Sequence, residues 1–307
     1  MNTPVAVQPT GLRAWLTAPD TTSARQATLQ SLWRGWQRFA LNRLGLIGLA
    51  IVCVLILVAI LAPWLAPFSP IEQDLAKVLT PPGSVHWLGT DELGRDILSR
   101  IVWGSRLTLM TIGIVSIVVA PIGLTVGCVA GYFGGWVETV LMRVTELFLA
   151  FPSLILAMAF VAALGPSLQN AILAIALTAW PPIARLARAE SLSLRKKDHI
   201  AAVRLMGASR ARIVLQHIMP LCLSSVVVRV TLNMATIVLT AASLGFLGLG
   251  AQPPSPEWGA MISTGRRVML DSWWVVTMPG LAILMVSLAF NLLGDALRDA
   301  LDPRQEG

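Results

Sequence analysis

The sequence predicts an all-α integral membrane protein with six transmembrane helices, and two observations indicate this class. Hydrophobic residues make up 55% of the 307-residue chain and charged residues only 13%, whereas a typical soluble domain carries about 25% charged residues. The mean hydropathy is +0.72. The apolar residues also lie in long blocks with few charges, and a helix needs about 20 mainly apolar residues to cross a bilayer. These features exclude an ordinary soluble globular fold.

The apolar blocks give the position of each span. The predicted spans cover residues 44–66, 107–137, the two halves of 147–184, 220–250 and 272–294. The cluster of Pro63, Trp64 and Pro67 ends the first span, and Gly165-Pro166-Ser167 marks the turn between the third and the fourth. The predicted organisation is an N-terminal tail over 1–43, a first transmembrane helix over 44–66, an extramembrane segment over 67–103, a five-helix transmembrane domain over 104–297 and a C-terminal tail over 298–307.

The distribution of Lys and Arg predicts the orientation, because loops rich in these residues stay in the cytoplasm. The tail 1–43 carries five arginines, including Arg13, and the loop over 185–212 carries eight Lys or Arg residues. The segment 67–103 instead carries five acidic and three basic residues. Both termini are therefore predicted to be cytoplasmic and the segment 67–103 periplasmic. This topology explains the net charge of +7, so no nucleic-acid partner is needed.

An amphipathic pattern precedes the first span. Apolar side chains recur at helical spacing between residues 29 and 40, opposite Arg34 and Arg38. Such a pattern is typical of a helix that lies on the lipids of the inner leaflet. A juxtamembrane linker with snorkelling arginines is the alternative.

The most informative segment is DHIAAVRLMGASRARIVLQHIMP, residues 198–220. Asp198 is predicted to cap a short helix that Gly207 ends, and Ser209 to cap a second helix, with Pro220 opening the fifth span. Four apolar residues of the first helix form a small apolar face without a core of its own: Ala201, Ala202, Leu205 and Met206. A cytoplasmic face of this kind suits a groove on a partner protein. Contact with anionic lipid headgroups is the alternative.

This loop resembles the EAA motif of ABC-importer permeases, written E-A-A-x3-G-x9-I-x-L-P. The corresponding residues are Ala201, Ala202, Val203, Gly207, His217, Met219 and Pro220. Ala201 replaces the usual Glu, Val203 the second Ala, and His217 and Met219 the Ile and Leu. Gly207 and Pro220, which set the bend, match the motif.

Three further stretches resemble the dipeptide and oligopeptide branch of these permeases, specifically its C-type subunit. They are HWLGTDELGRDILSRIVWGSRLTL (86–109), SLGFLGLGAQPPSPEWGAMI (243–262) and PGLAILMVSLAFNLLGDALRDALDP (279–303). Together with the loop, the resemblance covers residues 44–303. It implies a type I ABC importer permease fold in a bacterial inner membrane.

The resemblance also implies partners. These are a second, B-type permease subunit, two ATPase subunits that use ATP and Mg, and a periplasmic or lipid-anchored substrate-binding protein. The chain itself is expected to bind no cofactor and no metal. Peptides are the expected substrate, and nickel or metallophores, glutathione and opines are alternatives within the same family.

Residue roles follow from the resemblance and from chain position. The ATPase-coupling loop, about residues 188–220, is expected to act through Asp198, His199, Ala201, Ala202, Val203, Arg204, Leu205, Gly207, Ala208 and Pro220. A merely solvated helix start, or docking of the binding protein, is expected for Asp91, Glu92, Arg95 and Asp96. Arg229 is expected to snorkel to the cytoplasmic surface or to line the translocation path, and a bond to a neighbouring helix is a further alternative. Arg143 and Glu146, three residues apart, are expected to form an ion pair.

The sequence disfavours other classes of protein. The only lysines are Lys77, Lys196 and Lys197, and none follows a glycine as a Walker A lysine does. The HExxH and GxSxG patterns are absent, and Asp295 has no second intramembrane Asp with which to share a proton. An intramembrane enzyme is therefore disfavoured, and a passive channel would leave the coupling-like loop without a role.

Overall fold

The computed structural model describes residues 23–301. Within this range the chain folds into twelve α-helices and no β-strand. Residues 1–22, which include Arg13, and residues 302–307 of the predicted C-terminal tail lie outside the described part. The helices are α1 Ala24–Leu41, α2 Arg43–Leu65, α3 Ile97–Phe133, α4 Gly135–Leu149, α5 Ser153–Leu164, α6 Leu168–Ala179, α7 Pro181–Leu194, α8 Asp198–Leu205, α9 Arg210–Ile213, α10 Met219–Phe246, α11 Trp258–Gly265 and α12 Trp274–Leu301.

Five continuous stretches between residues 23 and 301 are long and apolar enough to cross a membrane. They are Arg43–Leu65, Ile97–Phe133, Leu168–Leu194, Arg210–Phe246 and Trp274–Leu301. The pair α4 and α5 passes the same test but is bent by 88°. Counting that pair as one span gives the six spans that the sequence predicts.

The third span differs from the prediction because it is broken. The chain turns at Phe151 and Pro152, where Pro152 has no N–H to donate and disfavours the helical conformation of the residue before it. The predicted turn after this span is confirmed. There α6 begins after Ser167, whose hydroxyl accepts a hydrogen bond from the Asn170 N–H at 3.1 Å.

Several helices extend beyond the predicted spans by more than a turn. The helix of the second span begins at Ile97, before the predicted start at 107, because Asp96 caps it there. The helix of the fourth span continues past 184 to Leu194, and that of the sixth continues past 294 to Leu301. The first span, Arg43–Leu65, matches the predicted 44–66 to within one residue.

A seam of small residues holds α3 against α7. Gly123 lies against Ile183, and Gly131 lies against Ser191, so the two helices run parallel. A Cβ atom on Gly131 would stand 2.7 Å from the Arg188 carbonyl oxygen, which shows that only glycine permits this approach. Close packing of small residues is how helices associate where lipid removes the hydrophobic driving force.

One end of the bundle gathers the elements on either side of α8. Because α7 runs parallel to α3, the end of α3 lies beside the start of the loop, where Arg195 Nη1 donates to the Gly131 carbonyl oxygen at 3.0 Å. The start of α2 meets the end of α12 through Gly45 and Ala296. We call this end of the molecule the coupling end.

The N-terminal helix α1 belongs to the coupling end as well. Its Phe39 is buried against Ala296 and Ala300 of α12 and stacks on Trp36, with ring centroids 5.7 Å apart. The predicted helix between residues 29 and 40 is therefore confirmed as a helix, and its placement on the lipid surface stays a prediction.

The opposite end is closed by the segment between α2 and α3 and by the connection around α11. Two tryptophans join these parts through their indole N–H groups. Trp258 donates to the Ile101 carbonyl oxygen at 3.1 Å, and Trp274 donates to the Thr90 carbonyl oxygen at 3.2 Å.

Candidate functional site

The segment between the fourth and fifth spans folds into the predicted short helix, α8, followed by a bend. The helix begins at Asp198 with Lys197 as its N-cap, so the prediction that Asp198 is the cap is wrong by one residue. Asp198 lies in the first turn, where its charge still interacts favourably with the helix dipole.

Gly207 ends α8 as predicted. Its φ of +84° is a left-handed conformation that glycine adopts without a steric cost. The Gly207 N–H donates to the Arg204 carbonyl oxygen at 3.1 Å, and the Ala208 N–H donates to the Val203 carbonyl oxygen at 3.3 Å. This pair of bonds is a Schellman motif, which satisfies the last carbonyl groups of the helix and fixes the bend.

After the bend, a second helix begins where it is predicted, at Arg210. The Ser209 hydroxyl accepts from the Arg212 N–H at 3.3 Å, which confirms the predicted cap. The chain then passes through a π-helical turn over Val214–Ile218 into α10, where Pro220 lies in the first turn as predicted, although the helical stretch from Arg210 is continuous. The wider π turn accommodates a proline, because it relieves the clash between the proline ring and the carbonyl group four residues before it.

One side of the segment that contains α8 is buried in the bundle, and the other side is exposed. Ile200 and Ile213 are fully buried, with 0% exposure. Leu205 and Met206 are 89% and 77% exposed, and the neighbouring side chains of His199, Ala201, Ala202 and Arg204 are exposed too. A helix that is anchored in the bundle and has an exposed apolar end is suited to docking, because the buried side holds the exposed side in a fixed position.

The segment around α8 also contacts the end of α3. The Arg204 guanidinium lies 5.9 Å from the centre of the Tyr132 ring, within range of a cation–π interaction. A cavity of about 500 Å³ opens beside this contact, lined by Tyr132, Phe133, Arg204, Ala208, Ser209, Arg210 and Ile213. A movement of α8 would therefore be transmitted to α3, the longest α-helix in the part of the chain that the structure describes.

A second cross-link pins the broken third span to α7. The Arg188 Nε donates to Glu138 Oε1 at 2.6 Å, and Arg188 Nη2 contacts the same oxygen. No sequence signal indicates this pair, because 50 residues separate its members. By contrast, the predicted pair of Arg143 and Glu146 is confirmed at 3.4 Å, with both side chains mostly exposed.

The charged residues at the opposite end are buried, so the expectation of a solvated helix start is wrong. Asp91, Arg95 and Asp96 are 4%, 5% and 3% exposed. The Arg95 Nε donates to Asp91 Oδ2 at 2.7 Å, and His86 Nδ1 lies 3.0 Å from Asp96 Oδ1. Only Glu92 of the four predicted docking residues is partly exposed. Direct docking of a partner on the other three is incompatible with their burial.

Glu257 has a structural role that its sequence context does not predict. Its carboxylate oxygens accept hydrogen bonds from the backbone N–H groups of Gly259 and Ala260 at 2.9 and 2.7 Å, which caps α11. Burial raises the pKa of this carboxyl group to about 7, against the opposing effect of the two backbone hydrogen bonds.

Arg229 lies on the exposed side of α10 and lines a cavity of about 420 Å³ with Glu190 and Arg298. No group of three or more His, Cys, Asp or Glu side chains that suits a metal ion occurs among residues 23–301. The exposed helix α8 and this charged cavity lie at the same end of the bundle.

Comparisons with known proteins agree with this geometry. Residues 123–307 match the family model of the binding-protein-dependent transport system inner membrane component, and residues 31–82 match the N-terminal transmembrane domain of oligopeptide transport permease C. The chain is similar to the inward-facing MetNI methionine ABC transporter, with a TM-score of 0.55 and 21% identity, over 67% of this chain and 98% of that one. This likeness supports the type I importer permease fold.

Curated relatives match over nearly the whole length. The dipeptide transport system permease protein DppC of Alkalihalophilus pseudofirmus is 45% identical, covering 92% of this chain and 93% of its own. The di/tripeptide permease DppC of Pseudomonas aeruginosa is 45% identical, with 88% and 91% covered. The glutathione permease GsiD of Pectobacterium atrosepticum is 43% identical, with 91% and 94% covered. The chain therefore belongs to the inner membrane permease components of binding-protein-dependent ABC transport systems, in the branch of the C-type dipeptide and oligopeptide permeases.

Proposed function

We propose that this chain is one of two permease subunits of an ATP-driven importer of short peptides, and that it forms half of the translocation pathway. Family membership and the di- and tripeptide permeases among its relatives support this function. The partners would be a B-type permease subunit, two ATPase subunits and a substrate-binding protein. Their ATP and Mg would be bound by the ATPase subunits.

The proposed location is the inner membrane of a bacterium, with both termini in the cytoplasm. The coupling end carries the arginine-rich segments on either side of α8, and the positive-inside rule assigns such an end to the cytoplasm. In this orientation the buried charge cluster around Asp91 faces the periplasm, and Arg229 lies on the cytoplasmic part of the pathway.

The observation that carries the proposal is the exposed tip of α8. Leu205 and Met206 have no covering element within residues 23–301, while Ile200 beneath them is completely buried. We propose that this tip lies in a cleft of an ATPase subunit, with Ala201 and Ala202 allowing close approach. Closure of the ATPase subunits on ATP would then pull α8, and with it the attached ends of α3 and α10.

Substitution of Ala202 tests this role. In the complex purified with its partner subunits and placed in liposomes, Ala202→Asp should reduce peptide uptake while basal ATP hydrolysis continues, because a charge would enter the docked interface. The matched control is Ala76→Asp, which adds the same charge at an exposed position at the other end of the molecule. Normal uptake by Ala202→Asp would refute the docking role of α8.

Two rivals are tested in the same liposomes. A passive channel would carry peptide without ATP, so uptake that persists after ATP is withdrawn would refute the pump. The alternative cargo classes are nickel or metallophores, glutathione and opines, and glutathione is favoured among them by the relative from Pectobacterium atrosepticum. Each compound is added in competition with a labelled dipeptide, and the cargo classes are ranked by how strongly each compound inhibits uptake of the label.

A further inference from the structure

The cavity at the coupling end has charged walls. It opens between α7, α10 and α12, with a volume of about 420 Å³. Its ionisable residues are Glu190, Arg229 and Arg298, one from each helix, and Ser224 and Ser225 add hydroxyl groups. The remaining lining is apolar: Leu186, Val228, Leu232 and Leu301.

These charges do not neutralise one another. No nitrogen of Arg229 or Arg298 lies within 4.0 Å of a Glu190 oxygen, and neither arginine has an ion pair with any residue in the range 23–301. Ionisable groups without an ion pair need water or a ligand to solvate them, and an open cavity gives access to both. The cavity thus holds two arginines that form no ion pair within residues 23–301, together with the Glu190 carboxylate, which also contacts the Cys222 thiol.

A second cavity adjoins the charged one and shares Ser224 and Leu301 with it. This cavity of about 510 Å³ lies between α1, α2, α10 and α12, and its lining is almost wholly apolar, with Trp36, Phe39 and Leu297 among its walls. This groove suits a lipid chain.

The side of α12 that bears Arg298 is polar instead. Asn291 and Asp295 are exposed on it at helical spacing from Arg298. A polar side of this kind belongs on the aqueous path.

We propose that the charged cavity holds the two ends of a short peptide, with Arg229 and Arg298 binding the terminal carboxylate and Glu190 binding the terminal ammonium group. This inference rests on the proposed function. An extended dipeptide spans about 7 Å, so it bridges groups too far apart to pair directly. Arginine suits a carboxylate because its guanidinium forms two parallel hydrogen bonds, and Val228 and Leu232 offer apolar contacts to the peptide side chains.

The test measures the affinity of the complex for peptides. The binding protein is left out, because it would otherwise recognise the peptide termini before the permease does. Labelled Ala-Ala, its C-terminal amide and its N-acetyl form are titrated against the complex purified with its partner subunits. Arg229→Gln and Arg298→Gln should each lower the affinity for Ala-Ala by about tenfold, the usual effect of losing a charge-assisted hydrogen bond. Both variants should leave the affinity for the C-terminal amide nearly unchanged. Glu190→Gln should lower the affinity for Ala-Ala and leave the affinity for the N-acetyl form unchanged.

Two kinds of control make the result decisive. Arg267→Gln removes an exposed arginine outside the cavity and should change no affinity. Arg229→Lys and Arg298→Lys keep the charge but lose the pair of parallel hydrogen bonds, so they should restore only part of the binding, which separates recognition from a folding defect.

Three outcomes would overturn the inference. The first is an equal loss of affinity for Ala-Ala and its amide in the arginine variants. The second is unchanged affinity together with loss of co-purifying anionic phospholipid, which would make the cavity a lipid phosphate site. The third is unchanged affinity in all variants of a complex that still imports peptide, which leaves the proposed function intact. A wild-type complex that imports no peptide would refute both proposals.

Discussion

The bend after α8 offers the sharpest test, because one residue controls it. Gly207 has φ of +84°, and a Cβ atom added there would meet nothing within 4 Å. Gly207→Ala therefore introduces backbone strain and no clash. A left-handed conformation costs a non-glycine residue on the order of 1–2 kcal/mol, which lowers the population of the bent form by roughly 5- to 30-fold. Asparagine tolerates this conformation better than alanine, so Gly207→Asn should have a smaller effect.

The assay is the affinity of the ATPase subunits for the permease, together with the number of peptides imported per ATP. We expect both to fall in the order wild type, Gly207→Asn, Gly207→Ala and Gly207→Pro, since proline fixes φ near −65°. Thermal unfolding of the bundle should change little, because the glycine makes no packing contact. Gly280→Ala is the matched control, with an equally open site in helical α12. Wild-type affinity and coupling in both the alanine and the proline variants would refute the reasoning.

Three other predictions concern the packing and charges of the fold. The pKa of Glu257 is raised to about 7, so its contribution to stability is complete below about pH 4.5 and is lost as the pH rises towards 7, by about 3 kcal/mol; the unfolding midpoint should fall over that window, and Glu257→Gln should flatten the curve. A double-mutant cycle on Glu138 and Arg188 should give a coupling of about 1 kcal/mol, whereas the exposed pair of Arg143 and Glu146 should give almost none. Ile200→Ala should lower the free energy of unfolding by about 2–5 kcal/mol and Ile200→Val by about 1 kcal/mol, measured by chemical denaturation; equal effects of the two would show that Ile200 is not tightly packed.

The sequence was a good guide to elements whose cause is local. The first span, the turn at Ser167, the short helix α8 and the stop at Gly207 all follow from runs of apolar residues, caps and glycine. The break in the third span was not predicted because residues 147–164 contain no charged residue. Hydropathy reports how apolar a segment is, and it carries no information on the direction of the helix axis. The π turn before Pro220 was missed for a similar reason, since it depends on how the chain packs on both sides of the proline.

The charged residues show the limit of sequence reasoning most clearly. Asp91, Arg95 and Asp96 follow one another as a solvated helix start does, yet they are buried, because the segment before α3 folds back over them and supplies partners such as His86. The reverse holds for Arg229, whose position inside a span is evident from the sequence, while the grouping with Glu190 and Arg298 is not.

By itself, the sequence determined the class, the number of spans, the family and the location of the short helix α8, since each depends on composition or on residues close together in the chain. The tertiary structure alone decided which charges are buried, which helices the glycines of α3 bring together, and which side chains share the cavity at the coupling end. The helix packing rests on contacts between residues 50 or more positions apart, such as Glu138 with Arg188 and Gly131 with Arg195. The energy of such contacts depends on distance in space, and the order of residues along the chain does not specify that distance until the helices have packed.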